Sequence, residues 1–294
     1  MRHSNEFMNK SRLDFIEIGS YDEEELAKLG SLPFRNVSVE LDALQCLRFF
    51  PCVENLILRP GEISEEGLGY LRGLRIISLK LDYYSDCIDL YAIDLAQFPD
   101  LQFLFSRTQY NFYNIAMCQS LCTLVVQEWL GNDLTYLVGS SLRALCIFNG
   151  KLQRVEGIQA IPQIISLSIA NQRRLSDVHY LNLCCGLESL AIEKCNRIHV
   201  SQIPPLPNLR YLELIGSQTA DDLSFLENYP RLEYLLLGIL VINGNMQVLS
   251  KLKHCAIMSD CKHYSIKNTD LPKAQHRFHS HSIPQWLEIL PQAF

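Results

Sequence analysis

The chain of 294 residues lacks long hydrophobic runs. Its longest uninterrupted apolar stretch is Leu235–Ile242, which is eight residues long, whereas a helix that spans a membrane needs roughly 20. Residues 1–14 mix charged and polar side chains and contain no apolar segment of the kind that a secretory signal requires. We therefore expect a cytoplasmic protein without a membrane partner.

Paired cysteines and an excess of positive charge are also missing. The eleven cysteines show no even framework, and Cys184 and Cys185 are adjacent, so we expect free thiols in a reducing compartment. The 26 Lys and Arg residues are outnumbered by 32 Asp and Glu residues, which gives a net charge of −6. This balance disfavours nucleic acid as a partner, because phosphate binding depends on Lys and Arg.

The sequence contains no catalytic signature. It lacks the phosphate loop GxxxxGK[ST], the nucleophile elbow GxSxG and the zinc motif HExxH. One group combines metal-ligand residue types: Cys255, Cys261, His263, His276, His279 and His281. Its two cysteines are too far apart for the tight Cys pair of a zinc site. We predict a protein that is not an enzyme and that has no cofactor, metal or catalytic residue.

One short pattern recurs along most of the chain: an apolar residue, two variable ones, an apolar, a variable and an apolar one. Alternation in its second half is the periodicity of a strand with one buried face. One such unit cannot bury its own apolar face, so neighbouring units must stack to form a continuous core. Twelve copies, 19 to 27 residues apart, begin at Leu13, Phe34, Val53, Leu74, Leu101, Leu121, Leu142, Ile164, Leu187, Leu209, Leu232 and Leu252.

The best single copy, Leu187–Ile198, reads LESLAIEKCNRI and resembles the leucine-rich repeat consensus LxxLxLxxN/CxL. The resemblance covers about residues 13–257. It implies an α/β leucine-rich-repeat solenoid, a horseshoe with a curved parallel sheet of about 12 short strands and short helices or 3-10 turns on the convex side. The family's buried asparagine ladder is mostly replaced here, and Asn149 and Asn171 lie one place early, so we expect irregular turns.

We predict three segments: a mobile N-terminus over residues 1–12, the repeats over 13–258, and a C-terminal cap over 259–294. The acidic residues after Ser20 and the glycine at position 30 predict a helix that ends in a glycine cap. The longest interval between copies predicts a second short helix over Ile88–Leu95.

The variable residues of each strand are expected on the concave side of the sheet. In the fourth copy these are Ile76, Ser78 and Lys80. Exposed aromatic residues and arginine on a regular surface are typical of protein interfaces. We predict the following partner-binding residues: Phe103, Phe105, Arg107, Trp129, Phe148, Tyr211, Glu213 and Tyr234. The alternative is that another segment of the same chain covers this surface.

These observations favour a non-enzymatic module that is a monomer in isolation and binds another protein. An acidic repeat protein of this size without further domains resembles the bacterial immunity proteins of polymorphic toxin systems. That resemblance implies a toxin or effector domain as the partner and its neutralisation as the function. Two alternatives remain: a scaffold or regulatory adaptor subunit for a cytosolic enzyme, and a metal-dependent or thiol enzyme that uses the C-terminal His/Cys cluster.

Overall fold

The computed structural model describes residues 15–18, 22–32, 35–62, 64–83 and 92–272. They belong to two compact units, one that runs to Gln127 and one that begins at Glu128. Among these residues, twelve strands form a parallel sheet in chain order, separated by short helical segments. This is the fold of a leucine-rich-repeat solenoid, as the repeat pattern predicts. Residues 1–12 and the part of the predicted cap from residue 273 onward lie outside the described residues.

The first unit contains two short α-helices and the first eight strands. The helices are α1 (Glu23–Gly30) and α2 (Glu65–Gly69). The strands are β1 (Ile16–Ile18), β2 (Asn36–Glu40), β3 (Asn55–Arg59), β4 (Ser78–Leu81), β5 (Ile93–Asp94), β6 (Phe103–Thr108), β7 (Phe112–Tyr113) and β8 (Thr123–Glu128). Strands β5 and β7 pair with each other in a separate two-stranded sheet.

The second unit contains the last six strands of the main sheet. They are β9 (Ala144–Phe148), β10 (Ser166–Ala170), β11 (Ser189–Glu193), β12 (Tyr211–Ala220), β13 (Tyr234–Val241) and β14 (His254–Ile257). Each connection contains a short 3-10 helix: Ile158–Ala160, His179–Leu183, Val200–Gln202, Ser224–Asn228 and Gln247–Lys251. Units of about 22 residues leave no room for longer helices there.

The repeated apolar residues form columns that cross the strands in register. In the first unit Leu56, Leu79 and Leu104 are paired neighbours, and all three are completely buried. The second unit has a longer column: Leu145, Leu167, Leu190, Leu212 and Leu235, also completely buried. We call the side of the sheet with these columns the core face, and the opposite side the front face.

The strand register corrects the fourth copy of the pattern. Leu79, and not Ile77, pairs with Leu56, so this copy begins at Ile76 and not at Leu74. In this register Ile76 takes the position of Val53, the first apolar residue of the third copy, and it is completely buried. Apolar residues occur at both possible starts, so the sequence pattern is compatible with either register until the neighbouring strand selects one.

Aspartates before the 3-10 helices cap their backbone donors. Each accepts a hydrogen bond from the main-chain N–H two residues later, which satisfies one of the donors that the start of a helix leaves unpaired. The pairs are Asp94 with Ala96, Asp133 with Thr135, Asp177 with His179, and Asp222 with Ser224.

Both predicted helices need correction in detail. Helix α1 forms, but Gly30 is its last residue and is not a left-handed cap; a Cβ there would lie 2.0 Å from the Phe49 carbonyl oxygen. The helix predicted over Ile88–Leu95 is wrong where the structure describes it, because Ile93–Asp94 is strand β5. Ile93 and Leu95 are both buried with a half-buried residue between them, which is strand alternation.

The segment after β14 covers the edge of that strand. The backbone N–H of Cys255 donates to the Pro272 carbonyl at 2.8 Å, and that of Ile257 donates to the Asn268 side chain at 3.0 Å. Tyr264 is buried against the turn after β13, where its hydroxyl accepts a hydrogen bond from Val241 N–H at 3.0 Å. These contacts satisfy donors that an uncovered sheet edge would leave unpaired.

Candidate functional site

Charged side chains on the front face of the first unit hold one another in place. Arg107 donates through Nε to Asp82 Oδ1 at 2.6 Å and through one terminal nitrogen to Gln127 Oε1 at 2.7 Å. Lys80 Nζ lies 3.7 Å from Asp82 Oδ2. All of these side chains are partly buried, so the guanidinium group is fixed by bonds on two sides rather than extended into water.

Phe105 lies beside this row of charged side chains on the front face. The ammonium group of Lys80 lies 5.2 Å from the centre of the Phe105 ring, which is within the range of a cation–π contact. Phe105 is half-buried and remains accessible. Phe103 lies on the front face as predicted but is only 4% exposed, so most of its ring packs against neighbouring side chains.

The second unit carries an aromatic row across three neighbouring strands. Tyr211, Tyr234 and His254 are paired in register on β12, β13 and β14. The two tyrosine rings are 6.3 Å apart between centroids, and the His254 ring stacks on Tyr234 at 4.6 Å. All three side chains are half-buried on the front face. Phe148, also half-buried, lies on the front face at the end of β9.

Glu213 stands out as a buried carboxyl group on the front face. It is 5% exposed, and its Oε2 accepts a hydrogen bond from the Tyr211 hydroxyl at 3.3 Å. Burial raises the pKa of Glu213 to about 7; the Tyr211 hydrogen bond opposes this rise and the nearby Glu193 adds to it. Among the described residues no Lys, Arg or His forms an ion pair with it.

Trp129 was predicted as a partner contact, but the structure buries it within a turn. Its side chain is completely buried, and its indole N–H donates to the Asp133 carbonyl at 2.9 Å. Its backbone pairs with Gly150 in an isolated bridge. Trp129 therefore closes the turn after β8, in the place where the family consensus has its ladder asparagine.

Two glutamines that the sequence analysis missed connect successive turns. The Gln172 side chain accepts from Leu152 N–H at 3.1 Å and donates to the Asn149 carbonyl, and Gln218 donates to the Cys195 carbonyl at 3.0 Å. Asn149 and Asn171 have positive φ angles at the strand ends, which explains why they lie one place early. The sequence analysis also missed Asp82, which contacts both Lys80 and Arg107, because the register assumed for the fourth copy did not place it on the front face.

Cys255, Cys261 and His263 are the members of the predicted His/Cys cluster that the structure describes. No group of three or more His, Cys, Asp or Glu side chains is arranged there to hold a metal ion, and His276, His279 and His281 lie outside that part. Burial raises the pKa of Cys255 to about 12, which keeps its thiol protonated and a poor nucleophile. No helix in the described ranges combines the length and apolar character of a membrane span.

Comparison with solved structures identifies the class of fold. The crystal structure of the internalin InlF from Listeria monocytogenes is 18% identical, with a TM-score of 0.53 over 80% of this chain and 70% of that one. TLR13, solved in a TLR13–ssRNA13 complex, is 12% identical, with a TM-score of 0.55 over 83% of this chain and 42% of that one. This chain thus spans less than half of TLR13.

Both structures are leucine-rich-repeat proteins, and at these identities the likeness concerns the fold. No protein-family model matches the sequence, and no curated protein matches it either.

Proposed function

We propose that the chain is a non-enzymatic module that binds another protein through the front face of its sheet. The observation that carries this proposal is the row formed by Lys80, Asp82, Arg107 and Gln127 beside Phe105. An arginine and an aromatic ring are the residue types that dominate protein interfaces. Because neighbouring side chains already fix the arginine, little conformational entropy is lost when a partner docks on it.

A protein fits this surface better than a nucleic acid. TLR13 was solved with an RNA, but the present chain has a net charge of −6. Its front-face Arg107 and Lys80 are engaged with Asp82, and Arg59 pairs with Glu17. A nucleic-acid groove needs cations that can neutralise phosphates. A compact front face with alternating aromatic, acidic and basic side chains matches the mixed chemistry of another protein surface.

Within this class we infer a cytoplasmic immunity or inhibitor protein that covers a functional surface of a toxin or effector domain. A rigid sheet face suits inhibition, since it can occlude a site without refolding. The second candidate is an adaptor subunit for a cytosolic enzyme, which would use the same face to hold its partner without inhibiting it. An activity assay of the bound partner separates these two functions.

The test is capture of the partner from a native lysate by the full chain and two matched variants. Phe105→Arg places a third cation beside Lys80 and Arg107 on the front face, and we expect this variant to lose the captured protein. Leu183→Arg is the matched control. Leu183 is 59% exposed at the end of the 3-10 helix His179–Leu183, away from the strands, and this variant should capture the partner normally. Equal capture by both variants would place the interface elsewhere.

A further inference from the structure

We propose that Tyr211, Glu213 and Tyr234 form a receptor site for an arginine side chain of the partner protein. This inference rests on the proposed function and assigns a ligand to one part of the same face. We call Tyr211, Glu213, Tyr234 and His254 the acid–aromatic patch. All four lie on the front face of β12, β13 and β14.

The first argument is charge. The front-face positions of β9–β14 carry two carboxylates, Glu193 and Glu213, and no lysine or arginine. Lys194 lies 2.9 Å from Glu193, but no cation in the described part of the chain pairs with Glu213. A carboxylate has about four acceptor sites, and Glu213 receives one long hydrogen bond. A buried acid with unused acceptors gains most from a partner that brings positive charge and several donors.

The second argument is shape. Toward β11 and β10, the neighbours of Tyr211 and Glu213 in register are Ser189 and Ala191, followed by Ser166 and Ser168. Of these short side chains, Ala191 and Ser168 remain partly exposed, whereas Ser189 and Ser166 are buried. An incoming side chain can therefore approach over Ala191 and Ser168, with its end against Glu213.

The third argument distinguishes arginine from other cations. A guanidinium group is planar, stacks on aromatic rings and forms paired hydrogen bonds with a carboxylate, whereas an ammonium group is a point charge that is strongly hydrated. The tilted rings of Tyr211 and Tyr234 lie next to Glu213 with their centroids 6.3 Å apart, and the His254 ring stacks on Tyr234. Two aromatic rings beside a carboxyl group that has no cation partner are complementary to a flat, positively charged group with several hydrogen-bond donors.

The test is a titration of the full chain with Nα-acetyl-arginine amide, followed through the ring signals of Tyr211 and Tyr234 by NMR. We expect saturable shifts in the wild type and at least about ten-fold weaker binding in Glu213→Gln, the loss expected for one hydrogen bond to a charged group. Tyr234→Leu should also weaken binding. Glu227→Gln, which changes an exposed carboxylate away from the front face, should bind as the wild type does.

Several outcomes would overturn the inference. Equal binding of the neutral isostere Nα-acetyl-citrulline amide would show that charge is not recognised, and equal binding of Nα-acetyl-lysine amide would remove the assignment to arginine. Unchanged arginine binding by Glu213→Gln would show that Glu213 does not form an arginine site. Arginine binding that occurs only in an Arg277→Gln variant would make the chain's own C-terminal arginine the occupant.

The two proposals fail separately. If Phe105→Arg abolishes partner capture while Glu213→Gln and arginine titration have no effect, the proposed function stands and the arginine site falls. The opposite result is that Phe105→Arg does not affect partner capture, while the wild type binds the arginine probe and Glu213→Gln does not. In that case the arginine site stands and the interface proposed around Phe105 is wrong.

Discussion

The hydroxyl of Tyr211 donates a hydrogen bond to Glu213 Oε2 across 3.3 Å, and this is the bond that Glu213 receives within the described residues. The two residues are two positions apart on β12 and therefore share the front face. The bond favours the ionised carboxylate, but burial is the larger effect, and the pKa of Glu213 is raised to about 7. The acid is thus divided between its two protonation states at neutral pH.

This raised pKa predicts that stability falls as pH rises. In the folded chain Glu213 keeps its proton up to about pH 7, whereas an unfolded glutamate loses it near 4.5, so between these values the folded state binds more protons. The free energy of unfolding should decrease by about 3 kcal/mol over that window and level off above it. Urea unfolding at several pH values measures this decrease.

Two variants identify the group responsible. Glu213→Gln should flatten the decrease and be more stable than the wild type at pH 8. Glu193→Gln removes the nearest acid and should keep most of the slope, and His254, which faces the same patch, can be replaced by Gln as a second check. A slope that persists in Glu213→Gln would assign the titration to another group.

Gly150→Ala is expected to destabilise the chain by more than about 2 kcal/mol. Gly150 has a φ of 122°, and a Cβ there would lie 2.1 Å from the Trp129 carbonyl oxygen, so the turn that buries Trp129 would have to move. Gly69→Ala is the control, since nothing lies within 4 Å of its Cβ position. Calorimetry should show a lower unfolding temperature for Gly150→Ala alone; comparable behaviour of both variants would contradict the close contact.

Asp133→Ala should cost about 1 kcal/mol at neutral pH, because Asp133 Oδ1 accepts from Thr135 Oγ1 at 2.5 Å and from Thr135 N–H at 3.1 Å. The hydroxyl bond of Thr135 is the main cause that holds the pKa of Asp133 below its ordinary value of 3.8. Its stabilisation is therefore complete above that value and is lost as the pH falls below it. Asp133→Asn should retain most of the stability at pH 7, and the alanine variant should approach the wild type in acid.

Leu167→Asp should unfold the second unit, whereas Ser168→Asp should not. Leu167 is completely buried on the core face of β10, and the adjacent Ser168 is partly exposed on the front face. A carboxylate buried without a partner costs several kcal/mol, while one at a solvated position costs little. Circular dichroism of the two variants compares the faces directly, and a folded Leu167→Asp would refute the register of β10.

Periodicity predicted which side chains share a face, and it did so well where each copy had a single possible start. It placed Phe105, Arg107, Tyr211, Glu213 and Tyr234 on the front face, where the structure has them. It failed at the fourth copy, because apolar residues at both Leu74 and Ile76 satisfy the pattern. The choice depends on pairing with β3, which is a contact between residues distant in sequence.

The sequence did not predict which of the front-face side chains are exposed to solvent. Phe103 and Phe105 occupy equivalent faces of one strand, yet one is buried and the other half-exposed, since coverage depends on neighbours from other segments. Trp129 follows a strand in the same way as a front-face residue but is buried within a turn. The sequence also does not show that Glu213 is desolvated, because burial depends on residues that are distant along the chain.

The repeat, the parallel strand order and the division into a core face and a front face can all be read from the amino-acid sequence, since they follow from side-chain alternation and from the need of each unit to bury its apolar face. The register of the fourth copy, the burial of Trp129, the fixed Arg107 and the buried acid at Glu213 became visible in the folded chain. Those features depend on distances between strands, and alternation along one strand carries no information about the height and charge of the side chains on the next.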